Sequence, residues 1–452
     1  MDPLRWTAAA LLVAVVSLVP APQAGAEPAA APRQAARIND IDGDGKLDVV
    51  FVHSGEAADT ADDEEGHPGS VQVVFGDGKV QHVSTAQLHD GLFEDSSFGS
   101  GLVVGDLNRD GYADVVVADQ SAGGSYNGRV WALWGSSAGI SARRTSVLAT
   151  GTQQSIGTSL AFIPLPEPLL AIGASAIGTG FVDLYRVRED GRLGDRRRIT
   201  IGSPGIAGRA YPEASFGASM AASGDLLVIG APEAGAIWTA GAAYVLQLQS
   251  GLRYWATRVM QGSRGIPGAQ EKFDAFGQAV SVLDDRVAIG VPGEQLGANE
   301  SAGAIELLRV ERTGHGLRIH PGALLTQASP GVPGDVGENH LLGENVFVTR
   351  LCAQGYGVIT ADHGSDRLLT IPFSAGRCSA AWLTPERQAG PVKLGPPPAS
   401  ILRRLVAGTA VDEPVVVADD FTLQIGWPGS MTETGLRGRI PGPVRLLAPP
   451  AA

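Results

Sequence analysis

Short apolar runs bracketed by Gly, Pro and Asp recur along this chain. The clearest are DVVVAD (114–119), LLAIGAS (169–175), LLVIGAP (226–232), RVAIGVP (286–292) and GVITAD (357–362), with DVVFVH (48–53) before them and VVVADD (415–420) after. Runs this short, rich in Val, Ile and Leu and closed by turn residues, predict strands rather than helices. They are continuous rather than alternating, as expected of strands covered on both faces. Ahead of five of them stands an apolar-Gly pair: Phe98-Gly99, Ile156-Gly157, Phe216-Gly217, Phe276-Gly277 and Leu342-Gly343, at steps of 58, 60, 60 and 66 residues. After the runs come further strand-like pairs around polar turns, such as VQVVFGDGKVQHV, FVDLYRVREDGRL, AIELLRVERTGHGLRI and FTLQIGWPG. Asp77-Gly78, Asp190-Gly191 and Thr313-Gly314 supply hairpin tips. The links between units repeat too, as Gly202-Ser203-Pro204-Gly205, Gly262-Ser263-Arg264-Gly265 and Ser329-Pro330-Gly331.

Each unit therefore reads as a four-stranded antiparallel meander of roughly 60 residues, a repeat period that marks propellers and arrays. A single such sheet cannot bury both faces, whereas radial stacking buries them and leaves only short edges. The expectation is an all-β fold, a seven-bladed β-propeller of four-stranded antiparallel blades forming one domain over residues 36–450. Composition agrees: 61 Gly and 29 Pro in 452 residues disfavour long helices. A formal net charge of −13 removes the basic face that a nucleic-acid partner needs.

The first residues stand apart from the repeats. Arg5, the apolar stretch Ala8–Val19, Pro20 and the small-x-small site Ala24-Gly25-Ala26 read as a secretory signal over 1–26, followed by a flexible linker over 27–35. The apolar stretch is short for a bilayer span, which takes about 20 residues. An uncleaved anchor is the alternative, because Asp2 weakens the positive end. The expectation is a secreted chain, extracellular or associated with the cell envelope, with no membrane span and acting as a monomer. Cys352 and Cys378 are the two cysteines. In an oxidising compartment they are expected to pair, closing a loop worth about 3 kcal/mol in the chain-entropy model; two buried thiols are the alternative.

Two turns carry a denser chemistry. Asp106, Asn108, Asp110 and Asp114 occupy positions 1, 3, 5 and 9 of a D-x-[DN]-x-D-G-x-x-D loop with Gly111 at position 6. Asp40, Asp42, Asp44, Gly45 and Asp48 repeat it in the first unit. Odd spacing turns alternate side chains inward, and Gly at position 6 permits the bend. At position 7, Lys46 and Tyr112 would offer backbone carbonyls. Hard oxygen donors without His or Cys select calcium, so two calcium sites are expected. The competing reading is an Asx-rich turn whose carboxylates cap backbone amides. The third unit places Pro164, Pro166 and Pro168 at the matching turn, and the fourth and fifth have the tight turns Ser223-Gly224-Asp225 and Asp284-Asp285; no calcium is expected there.

Phe216-Gly217 followed by Gly230-Ala231-Pro232 resembles the FG-GAP repeat of the integrin alpha-subunit N-terminal β-propeller, whose relatives include secreted bacterial proteins. The resemblance runs from about Ala36 to the last few residues. Gly290-Val291-Pro292 and Gly173-Ala174-Ser175 are looser copies, and units one, six and seven lack a clean Phe-Gly start. The resemblance implies calcium in the loops joining the first two strands of a blade, and a ligand face built from inter-blade and second-to-third-strand loops. Here those would include Ser121–Gly128, Glu233–Gly241 and Glu294–Gly303, with Tyr126 and Trp238 as aromatic candidates for a protein or glycan partner; each could equally pack on its own blade. The family's metal loops cluster in later blades, whereas here they fall in the first two.

Catalytic signals are weaker. Gly135-Ser136-Ser137-Ala138-Gly139 matches G-x-S-x-G, but it lies in a hairpin tip, not at the strand–turn–helix elbow a nucleophilic Ser137 requires. His315 and His320 flank another hairpin and read as solvated. Asp62-Asp63-Glu64-Glu65 reads as a solvated loop tip. Asn299-Glu300-Ser301 is a glycosylation sequon. The expected function is an adhesion or ligand-binding module rather than an enzyme. The alternative is an extracellular hydrolase or lyase on polysaccharide or ester substrates, with its site at the propeller channel.

Overall fold

The computed structural model describes residues 39–46, 48–53, 69–77, 79–88, 97–122, 127–152, 154–175, 178–235, 237–351, 355–364, 367–373, 381–383, 415–418, 422–427 and 430–437. The expected signal and linker, Asp62–Glu65, Tyr126, Cys352 and Cys378 lie outside the described residues.

Strands follow one another as antiparallel meanders. The first sheet is β1 (Val49–His53), β2 (Ser70–Val74) and β3 (Val80–Ser84), closed by one helical turn, Thr85–Leu88. The second is β4 (Phe98–Gly105), β5 (Asp114–Asp119), β6 (Arg129–Leu133) and β7 (Thr145–Thr150), and the third is β8 (Leu160–Ile163), β9 (Leu169–Ala174), β10 (Phe181–Val187) and β11 (Leu193–Ile199). The fourth contains β12 (Met220–Ser223), β13 (Leu226–Ala231), β14 (Ala242–Gln249) and β15 (Arg253–Val259). The fifth contains β16 (Val280–Leu283), β17 (Arg286–Val291), β18 (Ala304–Thr313) and β19 (Gly316–Leu325). Then come β20 (Val346–Leu351), β21 (Gly355–Asp362), β22 (Arg367–Pro372) and β23 (Ala381–Leu383), and lastly β24 (Val415–Ala418), β25 (Thr422–Trp427) and β26 (Ser430–Arg437). Four strands per sheet, the number expected, hold from the second sheet to the sixth. The first and last have three among the described residues.

The apolar runs lie where their continuity requires. Every residue of β5, β9 and β13 is buried, and opposite faces of one strand serve different neighbours. In β13, Leu227 and Ile229 pack with Ala171 and Leu184 of the third sheet, while Leu226 and Val228 pack with Val287 and Ile289 of the fifth. The core is thus a series of apolar layers between successive sheets.

The glycine pairs explain how one sheet is seated on the next. Within a sheet, the Gly217 amide donates to the Gly230 carbonyl and that of Gly277 to Gly290, both at 2.9 Å. Between sheets, the Ser100, Ser159 and Ser219 hydroxyls donate to the carbonyls of Gly157, Gly217 and Gly277 at 3.0, 2.6 and 2.9 Å. A side chain on Gly173, Gly230 or Gly290 would overlap the carbonyl oxygen of Gly217, Gly277 or Gly343, one unit further on. Parallel bridges Gly180–Phe216, Gly241–Phe276 and Gly303–Leu342 complete the same junction.

Candidate metal centre

The first acidic turn leads into β1 and the second joins β4 to β5. Each is closed by its ninth residue in the same way. Asp48 accepts the Ile41 amide at 2.7 Å and the Gly76 amide at 2.9 Å; Asp114 accepts Leu107 at 3.0 Å and Gly135 at 2.9 Å. Both aspartates have no exposed surface. The position-6 glycines have the left-handed backbone that the turn demands, with φ of 81° at Gly45 and 93° at Gly111. Their amides donate to the first carboxylate of each loop, Gly45 to Asp40 at 2.9 Å and Gly111 to Asp106 at 3.1 Å.

Beyond this shared frame the two loops differ. In the first, Asp40, Asp42 and Asp48 each bring a carboxylate oxygen within 4.8 Å of the others. The buried Oδ1 of Asp40 has no hydrogen-bond partner. Asp44 turns away: its Oδ1 accepts the Lys46 amide and its Oδ2 pairs with Lys46 Nζ, both at 2.8 Å. In the second loop, Asp106 Oδ1 and the side-chain Oδ1 of Asn108 both accept the Asp110 amide at 3.0 Å, Asn108 Nδ2 donates to Asp110 at 3.1 Å, and Asp110 accepts the Tyr112 amide at 3.0 Å. These are the Asx-turn contacts of the competing reading, and they engage side-chain oxygens in both loops.

Electrostatics singles out the closing aspartates. Burial pushes the Asp48 carboxyl up to about 7, against its two amide donors. Burial raises Asp114 well above the ordinary carboxylate range, and raises Asp40 and Asp42 as well, with neighbouring aspartate charges adding to the effect. A turn that gathers like charges, buries them and leaves one oxygen bare fits a cation. Its all-oxygen donors suit calcium. Asp40, Asp42 and Asp48 would hold the ion in the first loop; it would neutralise their mutual repulsion and fix the turn. The loops are also knitted together: the Ala113 amide donates to the Asp40 carbonyl at 2.9 Å, Ser136 to Ile41 at 3.1 Å, and the Tyr112 ring covers Gly43.

Elsewhere, Ser137 is exposed in the β6–β7 turn and His315 at the β18–β19 tip, while His320 meets Glu311 at 2.6 Å. Trp238 is 65% exposed on the β13–β14 loop, and Phe273, not singled out from the sequence, is 57% exposed beside it. Their ring centroids lie 5.4 Å apart. Phe273 stands in the link from β15 to β16 with φ of 70°, and no periodic signal distinguishes it from its polar neighbours.

Comparison with known proteins places these features. Residues 40–117, the span holding both acidic turns, match the FG-GAP-like repeat family. Over 113 residues, 25% of this chain, the sequence is 34% identical to integrin alpha-IIb of Mus musculus, and the alignment spans 11% of that protein's length. Among solved structures, the periplasmic gluconolactonase PpgL of Pseudomonas aeruginosa aligns over 89% of this chain and 100% of its own, with a TM-score of 0.42 and 16% identity. Residues 40–117 thus carry an FG-GAP-like repeat, and part of the chain resembles an integrin alpha subunit. No helix among its described residues is long and apolar enough to cross a membrane.

Proposed function

We propose that this is a secreted, calcium-stabilised propeller of seven blades that binds an extracellular protein or glycan. Support for a ring comes from the inner strands: β4, β8, β12, β16 and β20 lie side by side in order, and the backbone of β26 lies against β1 and β4. β1 corresponds to the second strand of its repeat, and among the described residues no strand of its own unit precedes it; β26, from the other chain end, lies against it instead.

The observation that carries the binding reading is the Trp238–Phe273 pair. Two large aromatic rings left in water, tilted 55° to one another and held by loops of adjacent units, form an apolar platform of the kind that anchors partners. The loops are tied to one another: the Phe273, Ala275 and Phe276 amides donate to the carbonyls of Trp238, Thr239 and Ala240 at 3.3, 2.9 and 3.1 Å. The platform is therefore built before a ligand arrives, which lowers the ordering cost of binding.

Glycan and extracellular-protein arrays, probed with calcium and with chelator, test this. The expected result is a ligand class retained by the intact chain and lost by at least tenfold in Trp238→Ala. Equal signal from Trp238→Ala, or no signal on either array, would overturn it. The alternative of a hydrolase or lyase draws on the raised carboxyls Asp274 and Glu306. Both are fully buried, and a general acid or base must reach its substrate.

A further inference from the structure

The exposed aromatic pair occupies a backbone frame that the repeat also builds without it. Counting back three residues from Phe216, Phe276 and Leu342 gives Glu213, Phe273 and Asn339, all left-handed, with φ of 67°, 70° and 60°. Two residues before Gly180, Gly241 and Gly303 stand Gly178, Thr239 and Ser301, left-handed as well at 65°, 54° and 49°. The Asn339 amide donates to the Glu300 carbonyl at 2.9 Å between the fifth and sixth units, as that of Phe273 donates to Trp238 between the fourth and fifth. Gly and Asn adopt this conformation readily, whereas a bulky or β-branched side chain is an outlier there. Phe273 and Thr239 are therefore strained at places where Asn339 and Gly178 are not.

Nothing in the packing offsets that strain. The two rings lie 5.4 Å apart, and both stay mostly in water. The junction does not need them, since the same hydrogen bond forms between Asn339 and Glu300 with polar side chains. Strain held at an exposed position points to a role outside the fold. The other exposed large hydrophobics among the described residues, Val80 and Val147, belong to the first and second units, so the apolar surface here is that of two rings. At roughly 150–250 Å² for each ring when fully covered, the pair offers far less than the ~800 Å² that a stable protein interface takes from each partner. Exposed neighbours on the same two loops, Glu233, Glu271 and Lys272, are charged and of both signs. A protein hot spot is depleted in charge and ringed by contacts that exclude water; this rim does neither.

We propose that the Trp238–Phe273 pair is a stacking site for an uncharged glycan, and that Phe273 is kept in a strained backbone for that contact. The proposal rests on the binding reading above and selects between its two partner classes. A sugar ring has an apolar C–H face that packs on the electron-rich face of an aromatic ring. Hydroxyls at its edge both donate and accept hydrogen bonds, so the Glu233 and Glu271 carboxylates can accept from them and the Lys272 ammonium can donate to them. Mixed signs around the rings give a polyanion or a polycation no electrostatic advantage.

Binding and stability, measured on the same full-length variants in calcium, test this. The probes are uncharged oligosaccharides of glucose, mannose, galactose and N-acetylglucosamine. Oligogalacturonate and chitosan oligomers serve as the anionic and cationic arms, with an extracellular-protein array beside them. The unaltered chain is expected to retain an uncharged oligosaccharide, and Phe273→Asn to bind it roughly tenfold less, the loss of one stacked ring. The same Phe273→Asn should raise the urea midpoint, because Asn accepts the left-handed backbone. Phe273→Leu, which keeps the strain and loses the ring, should weaken binding without that gain. A Phe273→Asn chain that binds unchanged, or unfolds at lower urea, would make Phe273 a structural residue and overturn the proposal. Preference for either charged oligosaccharide would do the same. Signal confined to the protein array and lost in Trp238→Ala would defeat the glycan assignment while leaving the aromatic platform standing; no signal dependent on Trp238 would remove the platform itself.

Discussion

Asp48 is gripped at both carboxylate oxygens by backbone amides from either side, Ile41 and Gly76, so its position is set whether or not a cation is present. What the cation changes is the balance of charge. With its carboxyl pushed up to about 7 by burial, against about 3.9 in an unfolded chain, the calcium-free fold binds a proton that the unfolded chain has released. A group with a raised folded pKa favours the fold while protonated and ceases to do so as pH rises through the folded value. Asp40, Asp42 and Asp114 shift the same way. EGTA-treated protein is therefore expected to melt at higher temperature at pH 5 than at pH 7.5. Saturating calcium should reduce or reverse that order, since the ion favours the ionised carboxylates. Melting curves at the two pH values, with and without calcium, check this; a chelated protein more stable at pH 7.5 would contradict it.

At the scale of the element, the glycine pairs mark the seam between sheets. Gly290 lies on β17 with ordinary backbone angles, yet any side chain there would enter the carbonyl of Gly343 on the next unit. The cost of Gly290→Ala should thus be that of overpacking, about 1–3 kcal/mol, read as a lower denaturant midpoint. Gly314→Ala at the β18–β19 tip is the matched control, because nothing lies within 4 Å of its added carbon; it should leave the midpoint nearly unchanged. The apolar-Gly pairs, their spacing and the buried runs behind them were legible in the sequence because burial on both faces writes a continuous apolar signature. The use of those glycines was not: the Gly217, Gly277 and Gly343 carbonyls press on Gly173, Gly230 and Gly290 of the unit before, which no local pattern reveals. The acidic turns show the same limit. Their ligand pattern is nearly identical in the two copies, yet side-chain competition, Lys46 for Asp44 and Asn108 for Asp110, decides which carboxylates converge.

Across the whole molecule, neighbouring units are joined at the acidic-turn end by different chemistries. Arg109 of the second turn donates to the Pro166 carbonyl of the third unit at 2.8 Å. Further on, Arg312 of the fifth unit meets Asp225 of the fourth at 2.6 Å, and the Tyr356 hydroxyl of the sixth donates to Asp284 of the fifth at 2.5 Å. Those junctions need only the chain's own side chains. Between the first and second units the bridging carbonyls of Asp40 and Ile41 belong to a turn crowded with like charges, so its shape is the one most dependent on a bound ion. A ligand that binds only the folded state adds about 2.7 kcal/mol when present at a hundredfold its Kd, and here that increment should be localised. Chelation is expected to lower the melting temperature and to open the span 40–117 to limited proteolysis while fragments from the third to fifth units persist. Mass spectrometry of the early fragments separates the outcomes. Unaltered melting with an unaltered cleavage pattern would show that backbone amides alone hold the acidic turns.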